Sequence, residues 1–557
     1  MTAKHLFVTA CLLALTLTGF FRFPGHTFLQ SDTQVYLPIL EHFWDPSVLG
    51  RDLLAQEPHV SFTIYDETAL ALRGLTGLGF REVLELEQML FRALGILGVF
   101  LLATALQLST RAALLVAAIF SLGANILGPT VLLFEYEPVP RGFAIPLLFL
   151  ALGLAAHGRD LAAGLAAAVA FLYHPPSVYP FWMVYFCLTL WPSKPAVMSR
   201  RIWGLVPILG GVLVLFLLSR LQTGVGELQA FFSRIDPALE QLQRLRGPYV
   251  WVSIWGTVWA GHYIFLWLVG LAAFWRVRKG ASQDLRFFLV GLPLIGLASL
   301  PASYWLLEKL KWSLVPQIQP TRALLFVSAL ALILAAAAAV KASEQGRYWE
   351  SLLWFLPAFA IPIHTRVSQV LLPDLANPLI RRRALLILFL AACTTLALWA
   401  ERRKFRWSAP ALWAVAVLLP FLLIPGCGQV KNYPELHNPE LQALSAWARS
   451  STPKEAVFLF PDARQELYPG IFRAEALRAV YTDWKAGGQV NFLKVFAREW
   501  WPRWQQTMAG KFQPQKVDSF AALGINYVVV RPANRLPGKR PVFENSGFLV
   551  YRMASAR

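Results

Sequence analysis

Charged residues are scarce in this chain of 557 residues, and this scarcity excludes a soluble globular protein. Aspartate, glutamate, lysine and arginine make up only 15% of the sequence, whereas hydrophobic residues make up 56%. Soluble domains usually carry about a quarter charged residues. The chain is therefore expected to be a membrane protein.

Cysteine is also rare, which excludes further classes of protein. Three of the four cysteines, Cys11, Cys187 and Cys393, lie in apolar segments, and Cys427 begins the C-terminal tail. This placement gives neither a disulfide framework nor a cysteine metal motif. The 32 acids are outnumbered by 51 lysines and arginines. No basic module with interleaved aromatics accompanies the surplus, so anionic lipid headgroups explain it better than nucleic acid.

Long apolar runs fill most of the remaining sequence. A membrane-spanning helix needs about 20 mostly apolar residues. Candidate spans lie near residues 5–21, 89–107, 111–134, 142–156, 161–173, 177–191, 203–219, 254–275, 286–304, 322–340, 350–365, 384–400 and 408–424. The pattern predicts a mainly α, polytopic transmembrane bundle of about 13 spans over residues 1–424.

Basic residues in short loops predict the orientation, because lysine and arginine collect on the cytoplasmic side. The first run follows Lys4 and lacks a small-residue cleavage site, which favours a retained signal anchor over a cleaved signal peptide. With a cytoplasmic N-terminus in the cell (inner) membrane, the inside loops carry Lys194, Arg200, Arg201, Arg276, Arg278, Lys279, Arg286, Lys341, Arg347, Arg402, Arg403, Lys404 and Arg406.

One basic cluster breaks this pattern. Arg381, Arg382 and Arg383 fall outside in the thirteen-span arrangement. Either the eleventh segment does not fully cross, which would make the triplet an inside anchor, or the triplet has a role on the outer side.

Two polar regions are expected outside the membrane. The first is a large loop over residues 31–88, whose first part holds Asp32, Glu41, Asp45, Asp52, Glu57, Asp66 and Glu67. The second is the tail over residues 425–557, which we expect to be a small α/β domain because helical and short apolar segments alternate in it. Helices are predicted at 439–449, 491–506 and 517–523, and strands at 456–460, 477–481, 525–530 and 548–552. The tail has no glycine-rich phosphate loop or nucleophile elbow, so it is expected to support the fold or bind an acceptor.

Ionisable groups beside apolar segments are functional candidates, because they are costly to keep there. Four such clusters face outside in the predicted topology and could converge on one cavity. They are Asp32 with Tyr36; Glu135, Glu137 and Arg141; His174; and Gln319 with Arg322.

Each cluster also has a purely structural interpretation. Asp32 could cap a helix, and the two glutamates could be ordinary interface residues. His174 could be a turn residue, and Arg322 could extend its charged end to the membrane surface.

The first external loop and the tail carry a resemblance to a known class. The segment Ser-Asp-Thr-Gln-Val-Tyr-Leu-Pro at 31–38, the tail segments at 447–457 and 523–530, and the overall plan resemble the GT-C class of membrane glycosyltransferases. Two departures are clear. Gln34 replaces the second acid of the D-x-D form, and Trp500-Trp501-Pro502 is not the W-W-D signature of oligosaccharyltransferases. Both argue against oligosaccharide transfer to asparagine.

The resemblance implies a sugar donor on a polyprenyl phosphate, a glycan, lipid or protein acceptor with a hydroxyl, and inversion at the anomeric carbon. It makes Asp32 the expected base, with Arg322 and the triplet at 381–383 at the phosphate. Glu135, Glu137 and Arg141 are then expected on the acceptor side. A divalent metal remains open as a cofactor.

Two other functions remain open from the sequence. A transporter or flippase of a lipid-linked or small substrate would also need many spans, although no internal repeat is visible. A non-catalytic envelope assembly protein of the same fold is the third alternative, because the second loop acid is missing.

Overall fold

The computed structural model describes residues 3–56, 63–221, 232–256, 258–372, 376–403, 409–427 and 437–553. Several predicted features lie outside these residues: Glu57 of the acidic loop, the anchors Lys404 and Arg406, and the chain just after the predicted domain boundary, at 428–436.

The first half of the chain is almost entirely helical. Its helices are α1 Ala3–Phe21, α2 Thr33–Trp44, α3 Tyr65–Thr76, α4 Phe80–Ala105, α5 Thr110–Ser121, α6 Pro140–Ala156, α7 Asp160–Tyr173, α8 Pro175–Leu190, α9 Pro195–Leu221, α10 Pro237–Arg246 and α11 Val258–Val277. A two-residue hairpin, β1 Asn125–Ile126 and β2 Val131–Leu132, interrupts the series.

The second half continues the bundle and ends in a small sheet. Its helices are α12 Gln283–Ser303, α13 Val315–Ile318, α14 Leu324–Glu344, α15 Tyr348–Ile363, α16 Val367–Leu371, α17 Pro378–Arg402, α18 Ala409–Leu423, α19 Pro439–Ser451, α20 Tyr468–Ala476 and α21 Lys494–Thr507. Short helical segments lie at Pro248–Val250, Val252–Trp255, Arg278–Gly280, Tyr304–Lys309, Pro320–Ala323, Ile424–Cys427, Ala486–Asn491, Pro514–Leu523 and Pro532–Asn534.

The bundle has the character of a multi-pass membrane protein. Within the described residues, eight helices are long and apolar enough to cross a membrane, and three shorter apolar helices accompany them. Helix α14 is apolar on all sides and buried along its length, as expected for the central helix of such a bundle. The mainly α polytopic fold is confirmed, whereas the exact number of spans stays a prediction.

The charged ends of the helices define two ends of the bundle. Arg402 at the end of α17 donates to the Ser343 carbonyl at 3.0 Å, and Arg276 pairs with Glu350 at 2.5 Å. We call this the lower end. At the other end Arg383, near the start of α17, contacts His364 just after α15. We call this the upper end.

Helices α14, α15 and α17 therefore alternate in direction. Arg322 directly precedes α14, so it also lies at the upper end. The predicted inside anchors Arg276, Arg347 and Arg402 share the lower end. The triplet at 381–383, by contrast, lies at the upper end, opposite to these anchors.

The C-terminal region folds around a mixed sheet with the order β4-β3-β5-β7-β6. Its strands are β3 Val457–Leu459, β4 Ala479–Val480, β5 Tyr527–Val530, β6 Phe543–Glu544 and β7 Leu549–Arg552. Strand β3 is parallel to β4 and β5, and β7 is antiparallel to β5 and β6. The four predicted strands are confirmed. Strand β6 was not predicted, because two residues carry no recognisable alternation.

A buried ion cluster joins this region to the segment between α1 and α4. Arg473 of α20 donates to Asp52 at 2.7 Å and also binds Asp483. Asp52 further accepts the Val480 backbone N–H at 2.8 Å. Both Arg473 and Asp52 are almost fully buried, so this segment and the C-terminal region pack directly on one another.

Candidate functional site

A cavity of about 740 Å³ lies where the upper end of the bundle meets the C-terminal region. Its polar wall comes from distant parts of the chain: Ser31, Asp32, Tyr36, Arg141, His174, Arg246, Tyr249, Arg322 and Lys485. Its apolar wall includes Phe171, Tyr179, Leu215, Phe492 and Leu493. Leu215 belongs to α9, a candidate membrane span, so the cavity extends toward the apolar helices.

Glu137 fixes the backbone on which Asp32 stands. One of its carboxylate oxygens accepts the N–H groups of Gln30 and Ser31 at 2.7 and 2.8 Å, and the other accepts the Asp32 N–H at 2.6 Å. The Thr33 hydroxyl donates to the same carboxylate at 2.5 Å. A carboxylate at this position satisfies the free N–H groups at the start of α2 and complements the helix dipole.

Because Glu137 takes these N–H groups, the Asp32 side chain is released from capping. Asp32 occupies the N-cap position of α2 but makes no side-chain capping hydrogen bond. The interpretation of Asp32 as a simple helix cap is therefore wrong. Its carboxylate lines the cavity instead.

Two cations hold the Asp32 carboxylate. Lys485 Nζ lies 2.5 Å from one oxygen, and Arg141 Nη1 lies 2.7 Å from the other. Burial alone would raise the pKa of Asp32, but the charges of Lys485 and Arg141 together lower it far below its ordinary value. Asp32 is thus an anion at neutral pH. Burial and the nearby Asp32 charge raise the pKa of the adjacent Tyr36, which keeps its phenol protonated.

Arg141 is oriented from behind by Glu135. Its Nε donates to one Glu135 oxygen at 2.7 Å, and Nη2 donates to the other at 3.2 Å. This bidentate pairing leaves Nη1 directed at Asp32. The Glu135 carbonyl in turn accepts Arg92 at 2.6 Å and Gln88 at 2.8 Å. Glu135 therefore positions a cavity cation and does not itself line the cavity.

His174 orients the second cavity arginine. Arg322 Nη1 lies 2.9 Å from His174 Nε2, and His174 Nδ1 lies 2.9 Å from the Ser177 hydroxyl. Burial and the charges of Arg322 and Arg141 lower the pKa of His174 well below its ordinary value. The neutral ring therefore accepts from Arg322 through Nε2 and donates to Ser177 through Nδ1.

Arg246 is a third arginine of the wall. Its guanidinium lies over the Trp484 ring, 3.7 Å from the ring centre, and Nη2 donates to the Trp484 carbonyl at 2.5 Å. Burial lowers the pKa of Arg246 to about 10, so it is still charged at neutral pH. Tyr249 lies near both Arg246 and Arg322.

The charge of the cavity wall is strongly positive. Its cations are Arg141, Arg246, Arg322 and Lys485, and its acid is Asp32. Asp32 forms ion pairs with Arg141 and Lys485, and Glu135 forms a further ion pair with Arg141. Among the described residues Arg246 and Arg322 have no carboxylate partner within salt-bridge distance, and Arg322 Nε has no hydrogen-bond partner. The wall therefore presents two uncompensated charges suited to an anion.

Most, but not all, of the predicted residues converge here. Asp32, Tyr36, Arg141, His174 and Arg322 line the cavity, while Glu135 and Glu137 support it. Gln319 is buried next to this wall with a left-handed backbone (φ 49°), and it does not line the cavity. The triplet at 381–383 is not brought to the cavity.

Gln34 also turns away, because it packs on Gly470 of α20. A Cβ atom at Gly470 would approach the Gln34 amide oxygen to 2.3 Å, so a larger residue at 470 would have to displace the Gln34 side chain.

Sequence reasoning missed Lys485 and Arg246. Both contact residues more than two hundred positions away. The sequence places Arg246 close to Tyr249 and Lys485 directly after Trp484. Aromatic neighbours of this kind are common and do not identify a residue of a site.

The acids at the site do not fit a divalent metal. Both Asp32 oxygens bind cations, both Glu135 oxygens bind Arg141, and Glu137 is occupied by backbone N–H groups. In the described part of the chain no group of three or more His, Cys, Asp or Glu residues could hold a metal ion.

The architecture is the GT-C fold of membrane glycosyltransferases. The chain is similar to the structure of ArnT from Cupriavidus metallidurans in the apo state, with 16% identity, a TM-score of 0.50, and coverage of 98% of this chain and 96% of that one. It is equally similar to ArnT from Cupriavidus metallidurans bound to undecaprenyl phosphate, with 16% identity, a TM-score of 0.50, and coverage of 99% and 98%.

Sequence comparisons add little to the fold. Residues 439–507 match the family described as "Domain of unknown function (DUF6798)". No curated protein matches the chain in sequence.

Proposed function

We propose that this protein is a membrane glycosyltransferase that moves a sugar from a polyprenyl-phosphate donor to an acceptor hydroxyl on the extracytoplasmic side. The observation that carries the proposal is the combination, in one cavity, of the carboxylate Asp32 and the uncompensated cations Arg322 and Arg246. The GT-C fold supports it, as does the undecaprenyl phosphate named with one of the ArnT structures.

In this reaction the acceptor oxygen attacks the anomeric carbon of the sugar. The bond from that carbon to the phosphate oxygen breaks, and the phosphate leaves with the additional negative charge. Arg322 and Arg246 would stabilise this charge, because fixed cations in a buried site need little reorganisation as the reaction proceeds. Asp32 would accept the proton of the attacking hydroxyl, and a single displacement would invert the anomeric configuration.

The two ion pairs of Asp32 give this proposal a specific requirement. An acid held by two cations is a weak base, because both charges favour its ionised form. A phosphate held by Arg322 and Arg246 in the same cavity would also attract Lys485 and Arg141, which would weaken their hold on Asp32 and raise its proton affinity. The donor would then both supply the leaving group and activate the base.

The test uses the full-length protein in lipid vesicles with a polyprenyl-phosphate sugar extract from membranes and a cell-envelope extract that supplies acceptor hydroxyls. Sugar-dependent release of free polyprenyl phosphate is measured for the wild type, for Asp32→Asn and for the control Asp45→Asn. Asp45 belongs to the same loop and is exposed, and it pairs with Lys454 away from the cavity wall. General-base catalysis typically contributes about 100- to 10,000-fold, so Asp32→Asn should lose at least about 100-fold and Asp45→Asn should retain the wild-type rate.

Two results would contradict the proposal. Equal release by the wild type and Asp32→Asn would exclude Asp32 as the base. No sugar-dependent release by the wild type with any donor pool, despite binding of polyprenyl phosphate, would exclude the transferase activity and favour a carrier or assembly role.

A further inference from the structure

Four arginines form a second basic site at the upper end, away from the cavity. Arg366 lies at the start of α16, and Arg381, Arg382 and Arg383 lie in the first turns of α17. We call these four residues the upper arginine cluster. Three of them are exposed, and Arg383 is half-buried.

Arg383 anchors the cluster to its neighbours. It contacts His364, and its Nη2 donates to the Cys427 carbonyl at 3.1 Å. Its Nε is buried without a hydrogen-bond partner among the described residues. Since these contacts are with neutral groups, none of them compensates the charge of the cluster.

The local sequence cannot neutralise this charge. Between Glu350 and Glu401 the chain has four arginines and one acid, Asp374. Asp374 lies outside the described residues. Even with Asp374 counted against the cluster, a surplus of three positive charges remains. Like charges held together repel one another, so a site of this kind is explained by an anion that binds it.

The surface around and below the cluster is apolar. Leu379 and Leu385 on α17 are 50% and 60% exposed, and Leu372 after α16 is 80% exposed. Phe389 continues this face one turn further down the helix. Exposed apolar side chains on a membrane-spanning helix face the acyl chains of the bilayer, and α17 is such a candidate span. Cationic and apolar surfaces are thus stacked along the axis of one helix.

We propose that the upper arginine cluster binds the phosphate headgroup of an anionic bilayer lipid, with its acyl chains along the exposed face of α17. Arginine suits phosphate because its planar fork donates two parallel hydrogen bonds. The site is separate from the cavity, whose walls contain none of the four arginines. It does not depend on the transferase activity.

The experiment measures lipid binding by native mass spectrometry of the detergent-purified full-length protein titrated with phosphatidylglycerol. The test variant is Arg381→Gln with Arg382→Gln. The matched control is Lys511→Gln with Arg540→Gln, which removes the same charge from exposed positions of the C-terminal region. Each basic residue near an anionic lipid strengthens binding about fivefold, so the loss of two should weaken binding about 30-fold. The control should bind within about twofold of the wild type, because it leaves the cluster intact.

Three results would overturn the proposal. The first is equal affinity of the test variant and the wild type, and the second is an equal loss in the control. The third is equal binding of uncharged phosphatidylcholine. Displacement of bound phosphatidylglycerol by millimolar inorganic phosphate would assign the site to free phosphate and overturn its assignment to a lipid.

Discussion

Replacing Arg322 tests the anion-binding wall most directly. Arg322→Gln keeps a polar side chain but shortens it and removes the charge. Arg322 is only 6% exposed, and His174 fixes its Nη1 at 2.9 Å. Its orientation is therefore set before an anion binds, and little side-chain entropy is lost on binding.

The expected magnitude follows from this geometry. A hydrogen bond to a charged group is worth about 1.5–3 kcal/mol. Its loss should weaken binding of a polyprenyl phosphate roughly 10- to 150-fold. Arg246 still faces the anion, so binding should not be abolished.

The assay titrates purified wild type and variant with undecaprenyl phosphate and measures the dissociation constant by native mass spectrometry. The control is Arg111→Gln, which removes an arginine that pairs with Glu401 near the lower end. Similar elution and thermal midpoint of both variants would establish that folding is intact. Arg322→Gln binding within about twofold of the wild type, or an equal loss in the control, would refute the reasoning.

Three further predictions concern the residues that support the site. Glu137→Gln replaces a carboxylate that accepts backbone N–H groups by an amide, so it should displace Asp32. Release of polyprenyl phosphate should slow at least about tenfold, with lipid binding unchanged. A wild-type rate would contradict the positioning role of Glu137. Asp52→Asn removes one of the two carboxylates that bind the buried Arg473 and leaves Asp483 as the other, so it should destabilise the C-terminal region by about 1.5–3 kcal/mol, seen as a lower thermal midpoint than that of Asp45→Asn. Because the pKa of His174 is lowered in the folded protein, only the unfolded chain binds a proton on this histidine just below about pH 6.5. The free energy of unfolding should therefore fall as the pH drops from 7 toward 5. His174→Gln should reduce this pH dependence, and an unchanged dependence would show that His174 is not the group responsible.

Much of the architecture could be predicted because it depends on local patterns. Apolar runs such as Leu324–Glu344 are long enough to span a membrane, whatever their neighbours are. The abrupt change from an apolar run to Asp32 is also a local pattern, and Asp32 does line the cavity.

The polar partners could not be predicted, because three-dimensional packing decides them. Lys485 meets Asp32 across 453 positions of sequence, and nothing near Lys485 signals this contact. Gln34 was expected to stand where a second site acid would be. The turn of α2 carries it to Gly470 instead, so the missing acid at that position does not leave a gap in the cavity wall.

The contact between Asp52 and Arg473 has a consequence for how the chain matures. Asp52 is synthesised early, and the arginine that neutralises it follows more than four hundred residues later. Until α20 is made, Asp52 lacks the arginine that binds it in the finished protein. Once α20 is made, Arg473 in turn depends on the loop for one of its two acids. A C-terminal region produced alone should therefore be less stable than the same region in the full-length protein, because Arg473 would keep Asp483 and lose Asp52.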